Sequence, residues 1–192
     1  MLKLRASEKW IESGYTLFAH EGPNGIQIER IARSLMLNKS GFYHYFGTIE
    51  IFFERLMTHH SDSADVLTKN IQESQHLDPG VLNALIKHKV VIMAQVQLLR
   101  AKSNPLFHSA SEIVNQKIDK AILPLWARHI GLINNYDLAF RYCEIVRDMF
   151  YTRISFENFN YSFLHELATE TKAIVEEIFK ERDRLKKIPV NR

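Results

Sequence analysis

The segment that begins at Lys39 concentrates polar side chains that could contact a nucleic acid. Lys39, placed beside the free N–H groups of a helix start, can hold a phosphate. Ser40 and His44 are polar groups that can reach the edges of bases in a major groove. Gly41 lets the backbone approach closely, and Tyr43 can place its hydroxyl on a phosphate while its ring contacts a sugar or a thymine methyl. These residue types therefore indicate contact with double-stranded DNA.

Two short helices are predicted to position these side chains. Apolar residues spaced three and four positions apart predict one helix over 27–35 and a second over 39–46. Asn38 is expected to be the N-cap of the second helix. Phe42 and Phe46, four residues apart, are expected to anchor the second helix in the core. Two short helices joined by so brief a connector form a helix-turn-helix, whose second helix fits a major groove.

Further contacts with DNA phosphates are expected around this motif. Arg30 and Arg33 face outward on the first helix, and Lys3 and Arg5 lie in an N-terminal arm. Because phosphate contacts need only a local basic patch, the small net charge of the whole chain, +3, does not exclude DNA binding.

The rest of the chain is predicted to be helical as well. Its 192 residues include only 7 Gly and 5 Pro, and no segment sustains an alternation of apolar and polar residues. We therefore predict an all-α protein of about nine helices. A three-helix DNA-binding domain is expected over 1–48, and a helical domain for ligand binding and dimerisation over 49–192, beginning with a linking helix at 49–73.

The N-terminal quarter of the chain carries several short motifs in a specific order and spacing. They are Gly14-Tyr15-x-Leu17-Phe18, Glu21-Gly22, Ile31-Ala32 and Phe42-Tyr43-His44-Tyr45-Phe46 followed by Glu50. Over residues 7–57 this pattern resembles the DNA-binding domain of the tetracycline-repressor (TetR) family. The resemblance implies a homodimeric transcriptional regulator, a ligand-responsive repressor that binds a near-palindromic operator and has a small-molecule pocket in its helical body.

Three residues depart from the pattern of that family. Met36 stands where a glycine is usual in the turn, and Gln27 where a Thr or Ser often caps the helix. Ile49 stands where a lysine helps to hold phosphate, so the resemblance leaves Thr48 as the polar group expected to contact DNA there. These departures imply weaker anchoring on the DNA backbone or a somewhat different pose on the DNA. They leave open an alternative function, a helical dimeric protein-interaction module that keeps the fold and has lost specific DNA binding.

The last two helices carry apolar stripes wider than one packing partner requires. One interpretation is a generously buried internal helix pair. The interpretation we favour is a four-helix interface with a second copy of the chain. The residues predicted for this interface are Tyr142, Ile145, Met149, Leu167, Ile174 and Ile178.

A small-molecule pocket is predicted less specifically. Lys89 falls on an apolar stripe, where it could extend to solvent or pair with an anionic ligand. The apolar residues that could line a cavity, or simply form core, are Met93, Phe107, Trp126, Tyr142 and Phe150.

No catalytic, metal or cofactor site is expected. The sequence has no Gly-rich phosphate loop, and Glu73-x-x-His76 lacks the second copy that a di-iron bundle needs. The single cysteine, Cys143, is typical of a reduced, cytoplasmic setting, and no apolar run approaches the ~20 residues of a membrane span.

The motifs, the apolar stripes and the family resemblance together predict the partners of the protein. The expected partners are a DNA operator, a second copy of the chain and an unidentified small-molecule effector.

Overall fold

The computed structural model describes residues 6–186, apart from the side chains of residues 183, 185 and 186, and all regular structure in this range is helical. The helices are α1 (Ala6–Glu21), α2 (Ile28–Leu35), α3 (Lys39–Phe46), α4 (Ile49–Gln72), α5 (Leu82–Lys87), α6 (Lys89–Arg100), α7 (Pro105–His129), α8 (Tyr136–Arg153) and α9 (Tyr161–Lys186). A 3₁₀ turn at Pro23–Gly25 and a π turn at Leu77–Val81 complete the described elements. The predicted all-α class is confirmed. No helix within residues 6–186 is long and apolar enough to cross a membrane.

Asn and Gly residues set several helix ends. The side-chain oxygen of Asn38 accepts a hydrogen bond from the backbone N–H of Ser40 at 3.1 Å, which confirms Asn38 as the N-cap of α3. Gly47, with φ of 71°, ends α3 in the left-handed region that favours glycine. Asn135 caps α8 in the same way as Asn38 caps α3, by accepting from the N–H of Leu138 at 3.2 Å.

The described chain forms two compact units. The first contains the described residues up to Lys69 together with His88–Ile118, and the second contains Asn70–Lys87 together with the described residues from Asp119 onward. The first unit therefore adds α6 to the N-terminal helices, because α6 packs along α1. The domain boundary predicted after residue 48 was placed at the end of the helix-turn-helix motif and is a different division from these two compact units. That boundary stays a prediction.

An aromatic cluster forms the core under α3 in the first unit. The ring of Phe42 lies edge-on to Trp10 of α1 at 5.4 Å and to Phe52 of α4 at 5.1 Å, measured between ring centroids. All three side chains are fully buried, and Phe46 is buried beside them. The prediction that Phe42 and Phe46 anchor α3 in the core is confirmed.

Gly14 lies where α1 approaches α4 closely. A Cβ atom at this position would be 2.5 Å from Cζ of Phe52 and 3.6 Å from Cδ2 of Leu56, and both side chains are fully buried. Because packed core rings have little room to move, we expect Gly14→Ala to lower the free energy of unfolding by about 1–2 kcal/mol. Urea denaturation measures this change.

Gly41 provides the matched control for this substitution. A Cβ added to Gly41 in α3 meets no atom closer than 3.9 Å. Gly41→Ala should therefore raise the free energy of unfolding by about 0.5–1 kcal/mol, through helix propensity alone. Equal destabilisation by both substitutions would contradict the close approach at Gly14.

The second unit is held together by polar contacts as well as by its apolar core. The indole N–H of Trp126 in α7 donates to the carbonyl of Ala139 in α8 at 3.0 Å. Arg147 of α8 forms an ion pair with Asp119 of α7, whose side chain is buried. Burial raises the pKa of Asp119 to about 6, although the Arg147 guanidinium opposes this shift.

Candidate nucleic-acid interface

Helices α2 and α3, with the connector Met36–Asn38 between them, form the predicted helix-turn-helix. The inner face of α3 is held on α1 and α4 by Phe42 and Phe46. The outer face exposes the polar side chains, since 48% of Tyr43 is accessible to solvent and His44 is exposed next to it. The fold therefore presents one side of α3 and keeps the other side inside the protein.

The residues predicted to contact DNA lie in α2, in α3 and at the start of α4. Those whose side chains are exposed are Arg30, Arg33, Lys39, Ser40, Tyr43, His44 and Thr48, and Gly41 is half-buried. Within this set, Lys39 Nζ lies 6.0 Å from the centre of the Tyr43 ring. Lys3 and Arg5, predicted as an N-terminal arm, lie outside the described residues.

Two of the predicted phosphate-binding cations are paired with carboxylates. Nη1 of Arg30 lies 2.6 Å from Oε2 of Glu21, and Lys39 Nζ forms an ion pair with Oε1 of Glu29. The hydrogen bonds from Arg30 and Lys39 lower the pKa of Glu21 and Glu29 respectively, so both carboxylates stay ionised. The sequence pattern did not reveal either pair, because each one joins two different helices.

Arg33 differs from these two cations. It lies exposed near the end of α2 and forms no salt bridge within the described part of the chain. Among the described cations predicted to bind phosphate, Arg33 is therefore the one that can act without first breaking a salt bridge.

Met36 forms the turn in which the family that the sequence resembles usually has a glycine. Its backbone adopts φ of 54° and ψ of 38°, the left-handed region, and 92% of the residue is exposed. The N–H of Leu37 donates to the carbonyl of Ala32 at 2.9 Å, and the N–H of Met36 donates to that of Arg33 at 3.1 Å. This is the hydrogen-bond pattern of a glycine-type helix end, formed here by a residue with a side chain.

Replacing Met36 by glycine should relieve the strain at this turn. A side chain in the left-handed region costs roughly 1–2 kcal/mol, and the extra flexibility of unfolded glycine offsets part of the gain. We expect Met36→Gly to raise the free energy of unfolding by about 0.5–1 kcal/mol, measured by urea denaturation. Leu37→Gly is the matched control, and a similar gain there would show that φ at Met36 is not the cause.

Thr48 has a structural task beside its predicted contact with DNA. Its hydroxyl oxygen accepts from the N–H of Ile51 at 3.4 Å, which caps the start of α4. A hydrogen bond with the Thr48 hydroxyl also lowers the pKa of Glu50 in the first turn of α4. The DNA contact of Thr48 stays a prediction.

Tyr45 is an exposed aromatic residue of α3 for which the sequence suggested no role. It is 45% accessible, and its ring lies 5.2 Å from the ring of His44 and 6.3 Å from that of Phe46. Its position off the Phe42–Phe46 stripe is the only signal in the sequence for this exposure.

The residues predicted to line a ligand pocket divide between the two units. Lys89, Met93 and Phe107 belong to the first unit, and Trp126, Tyr142 and Phe150 belong to the second. Lys89 is half-buried at the start of α6, whereas the side chains of Met93, Phe107 and Trp126 are buried. The role of these residues in ligand binding stays a prediction.

The residues predicted for a dimer interface are mostly accessible on α8 and α9. Ile145 is 64% exposed and Ile174 is 60% exposed, with Ile178 exposed on the same helix as Ile174. The half-buried members of the set are Tyr142 and Met149. Leu167 differs, because its side chain is already buried within its own chain.

Metal-binding side chains do not converge in the described part of the chain. No group of three or more His, Cys, Asp or Glu residues there is arranged to hold a metal ion.

Known proteins share both the sequence pattern and the fold. Residues 11–56 match the model of a family described as bacterial regulatory proteins of the tetR family. A Mesorhizobium loti protein, provisionally assigned as a TetR-family transcriptional regulator, has a crystal structure that resembles this one over 91% of this chain and 96% of its own. The TM-score is 0.55 and the sequence identity is 16%, so this likeness concerns the fold. No curated protein is significantly similar to the chain in sequence.

Proposed function

We propose that the protein is a homodimeric, ligand-responsive repressor of a near-palindromic operator, because residues 11–56 match the tetR family of bacterial regulatory proteins. The observation that carries this proposal is the two-sided character of α3. Phe42 and Phe46 hold one side in the core, and Tyr43 and His44 are exposed on the other. A helix held in this way can enter a major groove without rearranging the core.

Base reading and backbone contact would be divided between two sets of side chains. In α3, Ser40 and His44 would meet base edges, and Tyr43 would place its hydroxyl on a phosphate and its ring on a sugar or a thymine methyl group. In α2, Arg33 would bind a phosphate and so set the register of α3 on the duplex. Two copies of α3 would read half-sites about 34–36 Å apart, as the helix-turn-helix geometry of a dimer requires.

The exposed isoleucines of α8 and α9 support the proposed dimer. Ile145, Ile174 and Ile178 form apolar surface on two long helices, and such surface is favourable to bury against a second copy. An effector that binds the DNA-incompetent arrangement more tightly would shift the population and release the operator. We place this activity in the cytoplasm, with DNA, a second copy of the chain and a small molecule as the partners.

The alternative function is a helical protein-interaction module without specific DNA binding. The pairing of Arg30 and Lys39 with carboxylates favours this alternative, since it removes two free cations from the helix-turn-helix surface.

Selection from a library of random duplex DNA with the purified full chain distinguishes the two functions. The repressor is expected to enrich a near-palindromic motif with half-sites one helical turn apart. Enrichment of no motif, even at low salt, would favour the interaction module. Light scattering tests the dimer, which should have twice the 22.5 kDa mass of one chain.

A further inference from the structure

On the helix-turn-helix, two carboxylates form ion pairs with cations that could otherwise bind DNA phosphates. Glu29 lies in the first turn of α2, and Lys39, its partner, is the first residue of α3. Glu21 ends α1 and pairs with Arg30 of α2. Each pair therefore joins two successive helices of the domain that is proposed to meet DNA.

All four side chains are solvent-exposed, with between 40% and 60% of each accessible. Ion pairs of this kind are only marginally stable, because water and salt screen the charges. Each pair can therefore open, but the carboxylate remains beside its cation and competes for it. The pKa values of both carboxylates are lowered, so they carry this negative charge at neutral pH.

Phosphate contact depends on these same charges. Binding without sequence preference comes almost entirely from the neutralisation of phosphates by Lys and Arg. Each cation that is already neutralised within the protein contributes less to this part of the binding. The proposed contacts of Ser40 and His44 with base edges are made by neutral side chains outside these two ion pairs.

We infer that Glu29 and Glu21 are affinity-setting residues of the DNA-binding surface, which compete with phosphate for Lys39 and Arg30. This inference rests on the proposed function. The two carboxylates lower the affinity for DNA of any sequence, and so increase the share of the binding free energy that comes from base contacts.

The test measures the binding of Glu29→Gln, Glu21→Gln and wild-type full-length protein to a mixed-sequence duplex of about 30 base pairs, long enough for two half-sites one helical turn apart. Glu73→Gln is the matched control, since Glu73 is exposed in the second unit, forms no salt bridge in the described part of the chain, and changes the net charge equally. Fluorescence anisotropy at salt concentrations between about 50 and 200 mM gives the affinity and its salt dependence.

Both substitutions are expected to tighten binding at about 50 mM salt by about three- to tenfold over the control. The slope of log K against log salt concentration should become steeper by about 0.9 for each additional phosphate that the protein neutralises. Affinity and slope equal to those of Glu73→Gln would overturn the inference. Weaker binding by Glu29→Gln would overturn it too, because the pair would then be needed to position α3.

The result also separates this inference from the proposed function. If the wild-type protein binds the duplex, and neither Glu29→Gln nor Glu21→Gln changes the affinity more than Glu73→Gln does, only the inference is refuted. Absence of binding by all four proteins at the lowest salt concentration refutes both.

Discussion

Tyr43→Ala and His44→Ala are each expected to abolish sequence-specific DNA binding while leaving the fold intact. Tyr43 is 48% exposed and His44 is exposed, so neither side chain is part of the buried core. A good contact with a base edge is worth about 1–3 kcal/mol, and a homodimer would lose it twice. The expected loss of about 2–6 kcal/mol corresponds to an affinity for the selected operator that is lower by about 30-fold to 10⁴-fold.

Tyr45→Ala is the matched control for this experiment. Tyr45 is 45% exposed on the same helix, and no DNA contact is predicted for it. Anisotropy with the selected operator should show near-wild-type affinity for this variant, and light scattering should show an unchanged mass for all three. Loss of the dimer in Tyr43→Ala or His44→Ala would mean that these side chains are structural.

His60 carries the second large expected effect, through a buried hydrogen-bond network in the first unit. Tyr15 Oη lies 2.7 Å from His60 Nδ1, and His60 Nε2 lies 2.9 Å from Gln95 Oε1. The amide nitrogen of Gln95 donates to the carbonyl of Ser111 and to Asn115 Oδ1, both at 2.8 Å. The network links α1, α4, α6 and α7.

The direction of each hydrogen bond follows from the Gln95 amide. Its nitrogen has two acceptors, so its oxygen must accept from His60 Nε2–H. His60 Nδ1 is then the unprotonated nitrogen, and it accepts from the hydroxyl of Tyr15. The network thus holds neutral histidine, and every hydrogen bond in it has one donor and one acceptor.

Protonation of His60 should therefore destabilise the folded protein. Burial lowers the pKa of His60 from 6.5 to about 4. Between these two values the unfolded chain binds a proton that the folded chain does not, so stability falls as the pH falls. The contribution of His60 should decrease by about 1.4 kcal/mol per pH unit, and by about 3 kcal/mol over the whole window.

Urea denaturation of wild-type protein and His60→Leu at about pH 7 and about pH 4.5 measures this effect. At the higher pH the variant should be less stable by about 2–4 kcal/mol, because Tyr15 and Gln95 lose their partner. At the lower pH the difference should be clearly smaller. Asp119 has the opposite pH dependence, since burial raises its pKa to about 6, but both proteins contain it and its contribution cancels.

Tyr15→Phe controls for loss of a hydrogen bond without loss of the titrating group. It removes the hydroxyl that donates to His60, and should cost about 1–2 kcal/mol while the pH dependence of the wild type remains. A difference between wild type and His60→Leu that is the same at both pH values would contradict the role of His60.

Local sequence patterns were enough to predict α2, α3 and the outward face of α3. The recurrence of apolar residues predicted α2 and α3, and the cap at Asn38 located the start of α3. Phe42 and Phe46, four residues apart, identified which side of α3 is buried. These features depend on neighbours within one or two helical turns, so a local pattern is enough to predict them.

The contacts of the polar side chains became visible only once the packing of the helices was known. The ion pairs of Arg30 and Lys39 join residues of different helices, and the partners of His60 lie 35 and 45 positions away in the sequence. Met36 likewise adopts its left-handed backbone because the turn between α2 and α3 requires it. A helical repeat specifies which face of a helix is buried. The partner of a polar side chain is set by how the helices pack, and this local repeat carries no information about that packing.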